Sequence, residues 1–314
     1  MMTISDVAQG LRTNGSFVIL THCRPDGDTL GSAALLCRGL RAFGKQAFIF
    51  ENPEVTPKYE SLLDGLTTRQ ISPGDVVIAV DVAAMDMLQK GLPENTGIHL
   101  RIDHHRSGES FSLGELVDPE AAACGQIIYD LLTFLGIPLD EPMATALYTA
   151  ISTDTGCFRF ANTQSHTLEV AARCAEVIPD LYGLNQKLFG VVSLTKLKLQ
   201  SWCLEHAIFL KGNQAVVCPL PLEVEQMLGV TEDDTENLSG YLRSIEGVKI
   251  AATLRETEDG KVKLSVRTVP EYSAAEICKK LGGGGHRGAA GATVEMTLQG
   301  ATEALIAALP WIAY

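Results

Sequence analysis

The sequence predicts an α/β fold: a mainly parallel sheet flanked by helices, followed by a second, smaller α/β domain. Three observations lead there. Short apolar runs rich in Val and Ile alternate with segments of helical spacing through the first half of the chain. With 314 residues the chain is too long for one ordinary core and long enough for two. Hydrophobic residues make up 46% and charged residues 20%, which can bury a sizeable core without the polar excess of a disordered chain.

The apolar runs lie at residues 16–21, 46–50, 76–80 and 98–102. Strands alternating with helices in this way form βαβ units around a parallel sheet. Helices are predicted at 30–43 and 59–63 between the runs, and at 125–135, 142–152 and 165–178 after them. Residues 183–205 hold many Leu and Lys residues and no strand signal, and read as one helix connecting two domains. A second mixed pattern follows, with strands at 215–219, 248–255, 261–269 and 292–296. The run Glu256-Thr257-Glu258-Asp259-Gly260 turns the middle pair into a hairpin. Helices are predicted there at 223–228, 235–244, 274–281 and 301–308. The expected organisation is a first domain over 1–185, a helical connector over 186–205 and a second domain over 206–314.

Charge narrows the partners. Lys plus Arg is 25 and Asp plus Glu is 38, a formal net charge of −13, which repels a long phosphate backbone. Long duplex nucleic acid is therefore not an expected partner, whereas a short phosphorylated ligand in a local site is. The opening residues Met1-Met2-Thr3-Ile4-Ser5-Asp6 place no basic stretch before an apolar segment, and no run of about 18 apolar residues occurs. Neither secretion nor membrane spanning is expected. The eight cysteines form no C-x-x-C pair, which fits reduced thiols and a cytoplasmic location.

Four clusters carry the chemistry. The first apolar run ends in Thr21-His22-Cys23-Arg24-Pro25-Asp26-Gly27-Asp28-Thr29-Leu30-Gly31-Ser32, a His and two Asp in one loop before a helix. This is either a Pro-Asp-Gly turn with Asp28 capping the helix or a metal loop, since divalent first-row ions accept imidazole and carboxylate. Asp81 directly follows the third run, and Asp103-His104-His105 directly follows the fourth. The last cluster is Thr153-Asp154-Thr155-Gly156-Cys157-Phe158-Arg159-Phe160-Ala161-Asn162. In open α/β sheets ligands bind outside the carboxyl ends of the strands, so the first three clusters should converge. Asp26, Asp28, Asp81 and Asp154 cannot all stay ionised in one crevice unless cations offset their repulsion, and two divalent ions do so.

These residues resemble the DHH phosphoesterase superfamily. Asp103-His104-His105 matches its namesake triplet, the stretch from His22 through Ser32 its first motif, Asp81 its second and Asp154 its fourth, in the same order and at similar spacing. Residues 153–160 resemble the nanoRNA-degrading branch, and Gly282-Gly283-Gly284-Gly285-His286-Arg287-Gly288-Ala289-Ala290-Gly291 resembles the DHH-associated C-terminal domain. After Asp81 the chain carries Val82 and Met87 where that branch often has a small hydroxyl residue and a nearby Arg. The resemblance implies one metal held by His22, Asp26 and Asp81, and another by Asp28, Asp81, His104 and Asp154, with Asp81 bridging. It leaves Asp103 to orient a histidine and His105 to face the phosphate. The mixed ligation favours Mn²⁺, with Mg²⁺ or Co²⁺ as substitutes.

The run Gly283-Gly284-Gly285-His286-Arg287-Gly288 also matches G-x-G-x-x-G, but it follows a predicted helix instead of leaving a strand, and no acidic residue stands near position 308. It reads instead as an anion loop, its glycines letting backbone N–H groups approach a phosphate beside His286, with Arg267 as a second clamp. Arg159 joins these as a substrate contact. By the resemblance, this second domain holds the nucleotide portion of the substrate and the active cleft lies between the two domains.

The expected reaction is phosphoester hydrolysis, with two ions about 3.5 to 4 Å apart activating a water for in-line attack. By resemblance the substrates are short single-stranded RNA oligonucleotides and 3'-phosphoadenosine 5'-phosphate, and a homodimer is compatible. A cyclic di-AMP or linear di-adenylate phosphodiesterase is the same-class alternative. Inorganic pyrophosphatase shares the metal loop but has a different C-terminal domain. A nucleotide-sensing regulator is the alternative of a different class, and the presence of every expected ligand argues against it. His99, His166 and His206 lie outside the clusters and are expected to be structural.

Overall fold

Burial on both faces is why the first-half strands read as unbroken apolar runs instead of alternating ones. The computed structural model describes residues 1–105 and 110–310. The chain separates into two compact units, Met1–Val191 and Val192–Tyr314.

In the first unit, α1 (Ile4–Thr13) precedes β1 (Ser16–Leu20), α2 (Gly27–Ala42), β2 (Gln46–Phe50), β3 (Thr67–Thr68), β4 (Val76–Val80), β5 (Leu100–Asp103) and β6 (Gly114–Val117). Then come α3 (Cys124–Phe134), α4 (Glu141–Asp154), α5 (Ser165–Val177) and α6 (Leu181–Asn185). The strands form a six-stranded sheet of order β3-β2-β1-β4-β5-β6 in which every neighbouring pair is parallel. Strand periodicity sorts the side chains: Phe17, Ile19, Ile78 and Val80 face the helices, while Val18, Leu20, Val77 and Ala79 pack under Val82, Leu88 and Ile98. Strand order reverses between β1 and β4, so the crevice at their carboxyl ends is the switch point where such sheets bind ligands.

Two glycines of α2 set how closely it approaches α4. A Cβ at Gly31 would stand 2.4 Å from the Ala146 carbonyl oxygen, and one at Gly27 2.5 Å from Thr153 Oγ1. Only glycine permits that approach, and it brings the start of α2, with Asp26 and Asp28, beside the end of α4, where Asp154 sits.

The second unit contains α7 (Leu194–His206), β7 (Ile208–Leu210), β8 (Ala215–Leu220), α8 (Leu222–Leu228), α9 (Glu232–Thr235), α10 (Leu238–Arg243), β9 (Ile250–Glu256), β10 (Val262–Thr268), α11 (Ala274–Lys279), β11 (Gly284–Gly285), β12 (Ala289–Val294) and α12 (Leu298–Ala308). Its sheet has the order β11-β12-β10-β9-β8-β7, antiparallel except for the β8–β9 pair, with one apolar cluster on each face. The predicted hairpin is β9–β10.

Several elements depart from the sequence reading. The helix α1, capped by Thr3 and Asp6, and the short strands β3, β6, β7 and β11 were not expected. The single helix predicted over 183–205 is broken. A wide turn at Gln186–Gly190 ends with Val191 extended, and Ser193, whose hydroxyl accepts from the Lys196 amide, starts α7 afresh. The expected 186–205 connector is consequently shared, with Leu188 in the core of the first unit and Leu199 and Cys203 in that of the second. The helix predicted over 235–244 is α10 and starts only at Leu238, because Asn237 before it has a φ of 56°, a left-handed conformation that Asn tolerates; α9 precedes it as a separate turn of helix. Among the described residues, no helix is long and apolar enough to cross a membrane.

Candidate metal centre

The loop leaving β1 is tied down before it reaches α2. Thr21 donates from its amide and hydroxyl to Gln89 Oε1, both at 2.9 Å, and Asn52 Nδ2 donates to Thr21 Oγ1 and the His22 carbonyl, both at 2.9 Å. The Cys23 amide bonds the Met87 carbonyl, so the segment carrying Met87 flanks His22, while Val82 is fully buried. Asp26 caps α2 by accepting from the Thr29 amide. The cap that the turn reading would give to Asp28 thus belongs to Asp26, because Asp28 is the second residue of the helix and turns inward.

Asp28 is held by three donors. Its Oδ2 accepts from the Cys124 amide at 2.7 Å, and its Oδ1 from the Gly125 amide at 3.0 Å and from Ser32 Oγ at 2.9 Å. The two amides are the first of α3, whose positive end suits an anion. Asp81, on the turn after β4, has a φ of 57°, a strained value for a residue other than glycine. Its amide bonds the Ile102 carbonyl, and its Oδ2 accepts from Thr29 Oγ1 at 2.6 Å.

Around Asp81 the clusters meet. His22 Nε2 lies 3.6 Å from Asp81 Oδ2 and 3.9 Å from Asp26 Oδ1. His104 Nε2 lies 3.5 Å from Asp81 Oδ1, 3.7 Å from Asp28 Oδ2 and 3.9 Å from Asp154 Oδ2. One oxygen of Asp81 therefore faces His22 and Asp26, and the other faces the His104 group. Ligand atoms of His22, Asp26 and Asp81 fall within 4.8 Å of one another, as do those of Asp28, His104 and Asp154, and those of Asp81, His104 and His105.

Each histidine is turned by the partner of its other nitrogen. His22 Nδ1 is 2.7 Å from the Cys23 carbonyl, His104 Nδ1 is 3.3 Å from the Ala121 carbonyl, and His105 Nδ1 is 2.7 Å from Asp103 Oδ1. A carbonyl or carboxylate only accepts, so Nδ1 carries the hydrogen in each case. For His22 and His104 this leaves Nε2 to present its lone pair to the cluster. Asp103, fully buried, also accepts from the amides of His104 and His105. The histidine it orients is thus His105. Asp154 is steadied by Asn162, whose Nδ2 lies 3.3 Å from Asp154 Oδ2 and also bonds the Asp154 and Ala122 carbonyls.

Electrostatics show the crowding. Burial and the neighbouring Asp81 raise the Asp28 carboxyl well above its ordinary range, and burial raises Asp154 to about 7. Burial opposes ionisation of Asp81 as well, yet His104, His22 and His105 hold its pKa below the usual carboxylate range. His104 is pushed up to about 11, the Asp81, Asp28 and Asp154 carboxylates outweighing its burial. The site demands positive charge. Asp81 Oδ1 is buried and takes no hydrogen bond among the described residues. A buried carboxylate oxygen without a donor, ringed by imidazole nitrogens and further carboxylates, fits divalent cations.

The remaining expected residues lie elsewhere. Arg159 is exposed, with its Nε donating to the Gly156 carbonyl at 2.6 Å in a turn where Gly156, Cys157 and Phe158 all have left-handed φ. In the second unit Arg267 lies on β10 opposite Ala289, with Nη1 near Ser265 Oγ and the Val266 carbonyl. Gly284 and Gly285 pair with Gly291 and Ala290, and His286 is exposed in the turn that follows. Two of these glycines have a packing reason not anticipated from sequence: a Cβ at Gly283 would stand 2.1 Å from the Gly291 carbonyl oxygen, and one at Gly285 2.7 Å from Ala290 Cα. The Gly283 amide already donates to the Cys278 carbonyl, so it is not the phosphate donor it was expected to be. His99, His166 and His206 are engaged with the Val77 amide, Asp130 and the Trp202 ring.

Sequence reading passed over Thr29, Ser32, Asn162, Gln89 and Arg101. The first three stand within motif stretches and look like ordinary capping or loop residues. Arg101 had a usable signal, a lone cation inside an apolar strand run.

Comparison with known proteins agrees with this geometry. The DHH family, N-terminal domain, matches residues 16–151, and the DHHA1 domain matches residues 220–311. A Thermus thermophilus protein named bifunctional oligoribonuclease and PAP phosphatase NrnA is 34% identical over 94% of this chain and 88% of its own length. A Mycoplasma genitalium protein of the same name is 26% identical over 93% of this chain and 92% of its own. Among solved structures, an exopolyphosphatase-related protein from Bacteroides fragilis superposes with a TM-score of 0.83 at 22% identity, covering 97% of this chain and 94% of that one. That likeness supports the fold.

Proposed function

Since the chain belongs to the DHH family, we propose that it is a metal-dependent phosphodiesterase that hydrolyses short RNA oligonucleotides to mononucleotides and 3'-phosphoadenosine 5'-phosphate to AMP. The observation that carries this reading is Asp81, one buried oxygen of which faces His22 and Asp26 and the other His104. His22, Asp26 and Asp81 would hold one divalent ion, and Asp28, Asp81, His104 and Asp154 a second. Mn²⁺ is the best match to this donor set, with Mg²⁺ or Co²⁺ able to substitute. Such a pair, when bound, supplies Lewis-acid stabilisation of the phosphoryl oxygens and makes a water nucleophilic near neutral pH.

The rest is the work of the chain. The Cys124 and Gly125 amides and the Ser32 hydroxyl fix Asp28, and Thr29 fixes Asp81, so the ligand oxygens are in place before substrate arrives. Asp103 holds Nδ1–H of His105, and when the ring is doubly protonated its Nε2–H can hydrogen-bond a phosphoryl oxygen and then pass its proton to the leaving oxygen, leaving the ring neutral. Gly284, Gly285, His286 and Arg267 of the second unit, with Arg159 of the first, are proposed to contact the nucleotide. A net charge of −13 suits substrates small enough to need only local cations. Eight free thiols favour a reducing cytoplasm.

The test is a panel of di- and trinucleotide RNA, 3'-phosphoadenosine 5'-phosphate, linear di-adenylate and cyclic di-AMP, each incubated with Mn²⁺ and compared by kcat/KM. The reading predicts the highest efficiencies on the short RNAs and the bisphosphate nucleotide. Turnover confined to cyclic di-AMP would replace it with a cyclic dinucleotide phosphodiesterase, and no hydrolysis of any member would leave a nucleotide sensor.

A further inference from the structure

A cation in the middle of a parallel sheet calls for a reason, since arginine is almost never fully buried unless paired. Arg101 lies on β5 and is 3% exposed. Resting on the hydrolase reading above, we propose that Arg101 is a positioning residue that fixes the His105 ring by gripping Asp103 from the side opposite the histidine.

Strand periodicity puts Arg101 and Asp103 on one face of β5, while Leu100 and Ile102 join the main core on the other. Asp103 Oδ1 accepts from the amides of His104 and His105 and from His105 Nδ1, at 2.8, 3.2 and 2.7 Å. Asp103 Oδ2 faces Arg101 Nη1 at 3.8 Å, an ion-pair distance. The carboxylate is thereby oriented from both ends: tilting its plane about Cβ–Cγ would strain the three hydrogen bonds at one oxygen and draw the other away from the guanidinium. Three further contacts hold the guanidinium. Its Nη1 donates to the Ala83 carbonyl at 3.1 Å, its Nε stands 3.8 Å from Glu115 Oε1 on the paired position of β6, and the Phe111 ring lies 5.4 Å away. Ala83 is two residues beyond Asp81, so the same side chain also ties down the strained turn after β4. A planar fork can serve a carbonyl and two carboxylates together, which a single ammonium cannot.

The test compares kcat and KM of the Mn²⁺-saturated wild type, Arg101→Lys and Arg101→Met, each with and without His105→Ala. Arg101→Met should lower kcat about 10- to 100-fold, the range for residues that orient a ligand's partner, with KM unchanged within about twofold. Arg101→Lys should retain the fold most securely and lose about tenfold. In the His105→Ala background both substitutions should cost nothing further, because the residue they position is gone. A second readout needs no turnover: in ¹⁵N-histidine-labelled protein loaded with Mg²⁺, the hydrogen-bonded Nδ1–H of His105, identified by its absence in His105→Ala, should be visible in the wild type and lost to exchange in Arg101→Met. Losses of equal factor with and without His105, or an Nδ1–H signal that persists in Arg101→Met, would overturn the proposal and leave Arg101 a packing residue. A wild type without hydrolytic activity would sink the hydrolase reading and leave the histidine signal to decide the role of Arg101.

Discussion

Each unit of this protein contains a cluster of acids, some buried and some exposed, and the two are settled in opposite ways. In the second unit Glu225 receives Arg255 Nε and Nη2 at 2.6 and 2.9 Å, Glu232 receives Nη1 at 3.2 Å, and Lys263 stands 3.9 Å from Glu232. Asp234 beside them accepts from Ser193 and Thr231, and although burial acts against ionisation, these bonds keep its pKa below the ordinary value. In the first unit the ion pairs of Asp26, Asp28, Asp81 and Asp154 are, among the described residues, all with histidines. An acid cluster matched with arginine and lysine is complete as the chain folds. One matched with imidazoles, whose lone pairs are themselves donors to a cation, is left for ions taken from solution.

Four substitutions or treatments would break or sharpen that contrast. The largest effect is expected from Asp81→Asn, which keeps the shape of the bridge and removes its charge. Hydrolysis of a dinucleotide should fall about a thousandfold or more with the circular dichroism spectrum unchanged. A variant within tenfold of wild type would show that Asp81 bridges nothing. Next is Arg255→Met in the second unit, which strands the mostly buried Glu225 and should cost about 3 kcal/mol in urea unfolding while leaving kcat unaltered. If stability holds, the pair is no more than a surface contact.

Metal removal comes third. Each ion at about a hundred times its dissociation constant adds roughly 2.7 kcal/mol, so chelating a pair should lower the melting temperature by about 10 to 20 °C and Mn²⁺ should restore it. The same treatment should shift Arg255→Met equally, because its defect belongs to the second unit's own ion-pair cluster. The smallest effect is expected for Ser32→Ala, which deletes one of three donors to Asp28 and should weaken Mn²⁺ binding about tenfold in a calorimetric titration.

Much of the site was legible because metal chemistry restricts residue types. His22, Asp26, Asp28, Asp81, Asp103, His104 and Asp154 all stand at strand or helix ends, as the sheet rule requires. The parallel strands were legible for a related reason, since burial on both faces leaves little besides Val, Ile and Leu at 16–20 and 76–80. What escaped was set by tertiary contact. β3 and β11 are two residues each and exist only as pairing partners. The break before α7 depends on Ser193 acting as a cap, which a helical pattern over 183–205 concealed. Gly283 and Gly285 were read as making room for a phosphate, whereas β12 takes up part of that room. Ser32 stands one turn after Asp28 on α2 and looks there like any small helix residue, while Asn162 acquires its role only because the turn after α4 folds back on Asp154.

The claim beneath all of this is that the first unit assembles a paired cation site with Asp81 shared between its halves. It is tested most directly by counting Mn²⁺ ions per chain in metal-loaded crystals from anomalous scattering, for the wild type and Asp81→Asn. Two ions flanking Asp81 in the wild type and at most one in the variant is the predicted result. One ion or none in the wild type, or two retained without the Asp81 charge, would contradict it.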